Sequence, residues 1–307
     1  MQISTNLMFD RATAQMGVTQ DRLARTQEQM TIGKQVLKPS DAADKSAAIT
    51  RLKSVIDRQN SYVDTIGTTR NKFAQQETAM QGASDVLFRL KELTVQAAND
   101  TYGPVDRKMI AVEVKGLRDQ LASMANTQDV NGNYIFAGTR VKSPAFAVDS
   151  SGKFAYQGDQ TISEVGVGDQ RQVGDNRSGT QAFSKVIRTA TDGSQYGVGF
   201  FNVVDDIVTA LNTNNITVLQ RGVGEIDALQ NGISESLAVV GSGLNVLDSQ
   251  LGVGEENLLR MKTTLSQMED LDYTEAITKM NKDMLALEAA QSSFAKISQL
   301  SLFDYIK

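Results

Sequence analysis

Residues 226–268 read IDALQNGISESLAVVGSGLNVLDSQLGVGEENLLRMKTTLSQM. Ile226, Leu229, Ile233, Leu237, Val240, Leu244, Leu247, Leu251, Leu258, Met261, Leu265 and Met268 recur at steps of three and four, with one lapse at Gly254. That spacing puts one apolar stripe on one face of a long helix. A stripe this long calls for a partner helix along its length. The same rule holds from Asp41 to about Asn99, where Leu52, Gln59, Ile66, Phe73, Met80 and Leu87 are seven apart. Ile49, Ile56 and Val63 run three residues ahead of them. Such a helix spans about 80 Å at ~1.5 Å per residue, which suits rods and bundles and not a compact globule.

Both ends of the chain are helical and thin. In residues 1–37 the apolar positions are Ile3, Leu7, Met8, Met16, Leu23 and Met30, the last three seven apart among Thr, Gln and small residues. One narrow stripe does not hold an isolated helix in water. Pro39 and Ser40 break this helix, and Ser40 is the expected N-cap of the next. The final segment, Tyr273–Lys307, turns Ile277, Met280, Met284, Leu287, Phe294 and Ile297 one way and ends on Leu300, Leu302, Phe303, Tyr305 and Ile306. An apolar tip of this kind signals a partner. Residues 1–40 hold five basic and three acidic groups, net +2, and residues 255–307 hold six basic and nine acidic, net −3. Opposite signs favour pairing of the two ends, though weakly.

The middle differs. A turn at Asp100–Val105 leads to a third helix, with Ile110, Leu117 and Met124 on one seam and Val114 and Leu121 on the other, expected to end near Asn131-Gly132-Asn133. Strand-prone pieces follow at Tyr134–Ala137, Phe154–Tyr156, Ile162–Val167 and Ala182–Ile187, separated by Gly and Asp turns. Helix resumes at Phe201–Leu211, and Leu271-Asp272-Tyr273 marks a joint. The expected fold class is therefore mainly α with a small β-rich insert: long antiparallel helices and a terminal coiled coil. The expected division is a terminal coiled coil (1–40 with 273–307), a long helical bundle (41–132 with 201–272) and a β-rich outer insert (133–200).

Composition narrows the chemistry. The 307 residues include no Cys, no His and no Trp, and only 6% are aromatic. Aliphatic and Met side chains along helices, and not an aromatic core, are the expected filling. Without Cys or His there is no zinc site of the usual kind, no Cys nucleophile and no Ser-His-Asp triad. A net charge of −5 gives no basic surface for nucleic acid. No apolar run approaches the ~20 residues of a membrane span, and residues 1–15 lack the apolar region of a secretory signal peptide. Neither nucleic acid nor membrane is an expected partner.

Motif-like fragments have plainer explanations. Ser293-Phe-Ala-Lys296 lacks the companion motifs of penicillin-binding enzymes. Asp129-Val-Asn131-Gly-Asn133 lacks the Gly and the bidentate Glu of a calcium loop. Gly222-Val-Gly224 and Gly252-Val-Gly254 follow no strand, and mark helix ends or close helix approaches. Asp205-Asp206, Glu255-Glu256 and Glu269-Asp270 point about 100° apart on a helix and do not converge as a dyad. Asp159, Glu164, Asp169 and Asp175 supply carboxylates in the insert, with nothing placing them together. The expectation is a structural protein with no cofactor or metal, and not an enzyme.

Four widely spaced stretches resemble the flagellin superfamily. They are Ile3-Ser-Thr-Asn-Leu-Met-Phe9, Gly33-Lys-Gln-Val-Leu-Lys-Pro-Ser-Asp-Ala-Ala43, Asn133-Tyr-Ile-Phe-Ala-Gly-Thr139, and a tail comprising Tyr273-Thr-Glu-Ala-Ile-Thr-Lys-Met and Ala289–Ile306. The ending Ser-Leu-Phe-Asp-Tyr-Ile looks like the superfamily's junction proteins more than its filament proteins. The resemblance implies a flagellin-like rod whose terminal helices pair inside a tubular assembly, with the insert outermost and the ends folding on assembly. It implies export through the flagellar type III channel and a place at the hook–filament junction of the bacterial flagellum, outside the cell. The implied partners are copies of itself in a ring, hook-associated protein 1, flagellin, and a cytoplasmic export chaperone on the C-terminal helix. A short flagellin that polymerises itself is the alternative. Ile3, Leu7, Met16, Leu23 and Met30, with Met284, Leu287, Phe294, Leu300, Leu302 and Phe303, would then carry the assembly interface.

Overall fold

The structure is a computed structural model. It describes the chain except Met1, Ser151, Thr191, Ile306 and Lys307, and it describes no side chains for residues 2–6 and 297–305. Among the described residues, seven α-helices and three β-hairpins follow in the order α1 (Gln2–Ile32), α2 (Ala43–Ala98), α3 (Pro104–Ala125), β1 (Phe146–Val148), β2 (Phe154–Tyr156), β3 (Glu164–Gly166), β4 (Gln172–Gly174), α4 (Gly179–Ala182), β5 (Val186–Thr189), β6 (Gln195–Val198), α5 (Phe200–Thr213), α6 (Ile216–Glu269) and α7 (Tyr273–Tyr305). Two compact units result: residues 1–58 with 257–307, and residues 59–256. The sequence puts joints at residues 40 and 272, where the helices break. The units divide instead inside α2 and α6, because each long helix serves both.

In the larger unit, α2 and α6 run side by side. Ile66, Phe73, Met80 and Leu87 of the α2 seam are buried, as are Ile226, Leu229, Ile233, Val240 and Leu247 of α6. Each such side chain contributes about 1.5–3 kcal/mol by leaving water. Glycines set how closely the helices approach. A Cβ on Gly243 would lie 2.5 Å from the Phe73 ring, and one on Gly222 would lie 2.9 Å from Ile207 of α5. Gly254 does not interrupt α6; a Cβ there would meet Gln59 and Val63 at 3.3 Å. Gly224 and Gly252 have open space around them.

Beneath the hairpins lies an aromatic core that the composition hides. Six of the eleven Phe fall between residues 136 and 201 and pack together. Phe146 and Phe201 are 5.0 Å apart, Phe183 and Phe200 5.1 Å, and Phe136 and Phe183 5.3 Å. The low average thus conceals a local concentration, and the expected aliphatic filling is corrected for this part of the chain.

Several boundaries differ from expectation for local reasons. Ser40 is not the N-cap of α2. It lies in a 3-10 turn over Pro39–Asp41, and α2 starts two residues later, at Ala43. Helix α3 stops at Ala125 because the Asn126 side chain leaves the helix. Its Oδ1 accepts from Phe146 N at 2.9 Å and its Nδ2 donates to Phe146 O at 2.7 Å. Tyr134–Ala137 is a turn with a single bridge to Gln128 and not a strand. Residues 182–187 split between the end of α4 and the start of β5.

Two arginines, Arg107 buried and Arg188 partly buried, fasten this unit. Arg107 of α3 donates from Nε to Ala97 O at 2.8 Å and from Nη2 to Asn99 O at 2.9 Å. It thereby caps carbonyls at the end of α2 that have no partner within the helix. Arg188 of β5 pairs with Glu225 of α6 through two bonds of 2.6 and 2.7 Å, and with Asp206 of α5 at 2.6 Å. The Glu225 bonds lift its pKa further above the usual arginine value.

Gly243→Ala tests the close approach. Alanine gains about 1 kcal/mol of helix propensity, but overpacking against a buried ring costs about 1–3 kcal/mol. Phe73 is buried and cannot swing into solvent, so a net loss of about 1 kcal/mol is expected in urea denaturation.

Candidate assembly interface

In the smaller unit, α1 and α7 form an antiparallel pair. Phe9 meets Phe294 edge-to-face at 5.4 Å, and the Tyr273 hydroxyl donates to Met30 O at 3.1 Å. These two anchors are 21 residues apart on each helix, three heptads, so the layers between them stay in step. The less exposed positions of α1 include Phe9, Ala12, Met16, Thr19, Leu23, Thr26 and Met30. Those of α7 are Ala276, Met280, Asp283, Leu287, Ala290 and Phe294. Each helix thus has one column of large side chains and one of small or polar ones.

The small column is what the sequence reading missed. Thr26 is 1% exposed, and its hydroxyl is satisfied within α1 by Arg22 O at 3.0 Å. Asp283 sits in the same column of α7, and its Oδ2 is buried with no hydrogen-bond partner. The signal was present as a 3/4 spacing, but Ala, Thr and Asp do not read as apolar.

A clasp closes the joint end of the pair. Gly33 takes a positive φ of 76°, which lets α1 end and the chain turn back. Leu271 N then donates to Gly33 O at 3.0 Å and Gln35 N to Glu269 O at 2.9 Å, around a bridge between Lys34 and Asp270. Glu269 accepts from Lys34 at 2.5 Å and from Lys53 of α2 at 2.7 Å. Burial pushes the Glu269 carboxyl up, but the two ammonium groups outweigh it and hold it below the usual carboxylate range. The hydrogen bond to Glu269 raises Lys34 above its ordinary value. Asp272 caps α7 by accepting from Thr274 N at 2.8 Å.

The eleven sequence-derived interface positions fall into three groups. Met16, Leu23, Met30, Leu287 and Phe294 are half-buried in the α1/α7 pair. Leu7 and Met284 are turned outward, 52% and 48% exposed. Ile3, Leu300, Leu302 and Phe303 lie outside the residues whose side chains are described.

The carboxylates weighed for chemistry are dispersed. Asp205 pairs with Arg118 at 2.6 Å while its neighbour Asp206 pairs with Arg188. Asp175 pairs with Lys72 at 2.6 Å, and Asp159 accepts from Thr139 N at 3.0 Å. Ser293 and Lys296 are exposed on α7. Asp129 accepts from Asn131 N and Asn133 N, closing a loop on itself. Among the described residues no cluster of three carboxylates could hold a metal ion, and no helix is long and apolar enough to cross a membrane.

Residues 3–141, from α1 through the loop after α3, match the bacterial flagellin N-terminal helical region. Over its whole length the chain resembles flagellar hook-associated protein 3 of Salmonella typhimurium, with 27% identity across 99% of each chain. It is also similar to a flagellin of Listeria innocua, 23% identical over 97% of this chain and 96% of that one. A crystal structure of FlgL from Xanthomonas campestris superposes with a TM-score of 0.62 and 24% identity, covering 71% of this chain and 99% of that one. The flagellin-like fold, mainly α with small antiparallel strand pairs, is as expected from sequence. The relatives are structural flagellar proteins and not enzymes, in keeping with the structural class.

Two measurements test this geometry. Glu269 has a depressed folded pKa, so its contribution is present above about pH 4.3 and is lost as pH falls through the lower folded value. At pH 7, Glu269→Gln should cost about 1 kcal/mol, since both lysines are partly screened. The gap between the two thermal melts should close as pH falls below 4; a gap constant down to pH 2 would contradict the assignment. Asp283→Ala removes the unsatisfied oxygen, so it should stabilise the α1/α7 pair by about 1 kcal/mol, read as slower amide exchange in α1.

Proposed function

We propose that this chain is a structural adaptor at the junction between the flagellar hook and the flagellin filament. The observation that carries the reading is the match across 99% of both chains to hook-associated protein 3. The apolar tip of the sequence, with Leu300, Leu302, Phe303, Tyr305 and Ile306, supports it. In this reading the protein is extracellular, on the bacterial flagellum, after export through the type III channel. Copies form a ring between hook-associated protein 1 and flagellin. An export chaperone covers the C-terminal helix beforehand. Residues 133–200 lie outermost, residues 41–132 and 201–272 form the next layer, and residues 1–40 and 273–307 the innermost. The seven described interface positions, with Ile3, Leu300, Leu302 and Phe303, carry contacts between subunits.

The similarity to a filament flagellin along most of the chain favours one other reading, self-polymerisation into a filament. Seeding purified protein with filament fragments separates the two. An adaptor stalls after a short collar, and a flagellin elongates.

Deleting residues 295–307 is the direct test. The larger unit, 59–256, should melt as before, while the truncated chain fails to enter flagella and filaments are shed or absent. Normal incorporation of the truncation would overturn the role given to the tail.

A further inference from the structure

Charge avoids one face of α6. Between Ser236 and Gly254 only Asp248 is charged, in a chain where 22% of residues are. Asp248 is engaged by Arg70 of α2 at 2.6 Å. The stripe turned away from the buried positions of α6 is Ala238, Val239, Ser242, Val246, Ser249 and Val253, with Val239 and Val253 nearly half exposed. An ordinary solvent face carries Lys and Glu, whereas loss of charge marks the centre of an interface.

A second unpartnered face lies on the α2/α3 hairpin. Phe88 and Val95 of α2, and Val105, Met109 and Val112 of α3, are 50% to 75% exposed. The Arg89–Glu113 pair, 2.9 Å, ties the two helices together at this level. Lys108 and Lys115 stand beside Met109 and Val112 on α3 and have no acidic partner among the described residues.

We propose that these faces meet between copies of this chain, the α2/α3 hairpin of one packing on the charge-poor α6 stripe of the next. This deepens the assembly role and rests on it only for its biological setting. The two faces fit in relief, since Ala, Ser and Gly leave a shallow groove and Phe, Met and Val fill it. They fit in charge, since Glu235 closes one end of the stripe and Lys108 and Lys115 flank the hairpin face. Two different patches make the contact heterologous, so it propagates from copy to copy and does not stop at a dimer.

The spacing of the two faces follows from the pairing within one chain. Lys91 meets Asp227 at the hairpin's level, and Arg70 meets Asp248 at the stripe's level. Those α6 positions are 21 residues apart, so the two faces of one chain lie roughly 30 Å apart along the helix pair at ~1.5 Å per residue. The hairpin face has five exposed apolar side chains, far fewer than the ~20–30 residues a side of a stable complex. The contact is therefore weak in dilute solution and adds to others in an assembly.

The chain has no cysteine, so disulfide trapping has no background. Full-length single-cysteine chains Val112→Cys, Val246→Cys and Val130→Cys would be mixed in pairs at ~1 mM, where a weak contact is populated. Val130 is 92% exposed and lies on neither face. The V112C/V246C disulfide should form about tenfold faster than V130C/V246C, from raised effective concentration. Phe88→Ser with Met109→Ser, both exposed changes, should remove that advantage. Equal rates, or dominance of like-with-like disulfides, would overturn the proposal. Chains that cross-link as expected but never enter flagella would sink the junction reading and leave this contact standing. Chains that enter flagella yet cross-link no faster than the control would do the reverse.

Discussion

The α1/α7 pair depends on a constraint that neither helix can meet alone. On the side turned to its partner each carries large apolar side chains at only every seventh position, too little to offset the entropy of ordering some thirty residues. Brought together, Phe9, Met16, Leu23 and Met30 share one buried stripe with Phe294, Leu287 and Met280. The alternating Ala and Thr layers let the backbones come close, but they bury little. The pair is therefore held by its large layers and kept in step by its anchors at Phe9/Phe294 and Met30/Tyr273. Everything at the joint end serves that register. Gly33 turns the chain, the Lys34–Asp270 bridge fixes the two strands of the turn, and Glu269 binds lysines from both sides.

The larger unit solves the same problem differently. Its long helices have fuller stripes, and glycine at positions 222, 243 and 254 lets them approach neighbours closely. Beside that stripe lies a cluster of phenylalanines next to the hairpins β1/β2 and β5/β6. A two-stranded hairpin is marginal by itself. Here Phe146 of β1, Phe154 of β2 and Phe201 of α5 pack as one group, and Arg188 ties β5 to α5 and α6. The hairpins are thus held by side chains reaching into the helices more than by their own ladders.

This explains what could be read from sequence. Helices with heptads of Leu, Ile and Met announce themselves, so α2, α3, α5, α6 and the break at Leu271–Tyr273 were legible. So was β2, whose Phe-Ala-Tyr alternates. Strands β1, β4 and β6 were not, because Phe146–Val148, Gln172–Gly174 and Gln195–Val198 are only three or four residues long and hold Gly, Gln or Ala where a strand pattern would need branched or aromatic side chains. Asn126 illustrates the gap. It ends α3 by hydrogen bonding to Phe146, twenty residues on, and nothing local predicts that. Of the interface positions, those in the large-residue columns could be read from their period of seven. Leu7 and Met284 are large and apolar but off the seam, whereas Ala12, Thr19, Thr26 and Asp283 are on it and are small or polar. Hydrophobicity alone ranks these two sets in the wrong order.

The polar column also bears on what kind of helix pair this is. A coiled coil built for stability would place Leu or Ile where Thr19, Thr26 and Asp283 stand. Small and polar layers give up that stability, yet they keep the pair from burying all its apolar surface in itself. Leu7, Val18 and Ile32 on α1, and Ile277, Met284 and Leu285 on α7, remain exposed. Two helices that bind each other loosely while presenting apolar side chains outward have the makings of a larger bundle. Further helices can be added without first breaking a strong intramolecular seam. The same logic runs through α6, where charge is withheld from a face that none of the described residues covers. In both units the sequence leaves unfilled what neighbouring copies in an assembly would supply.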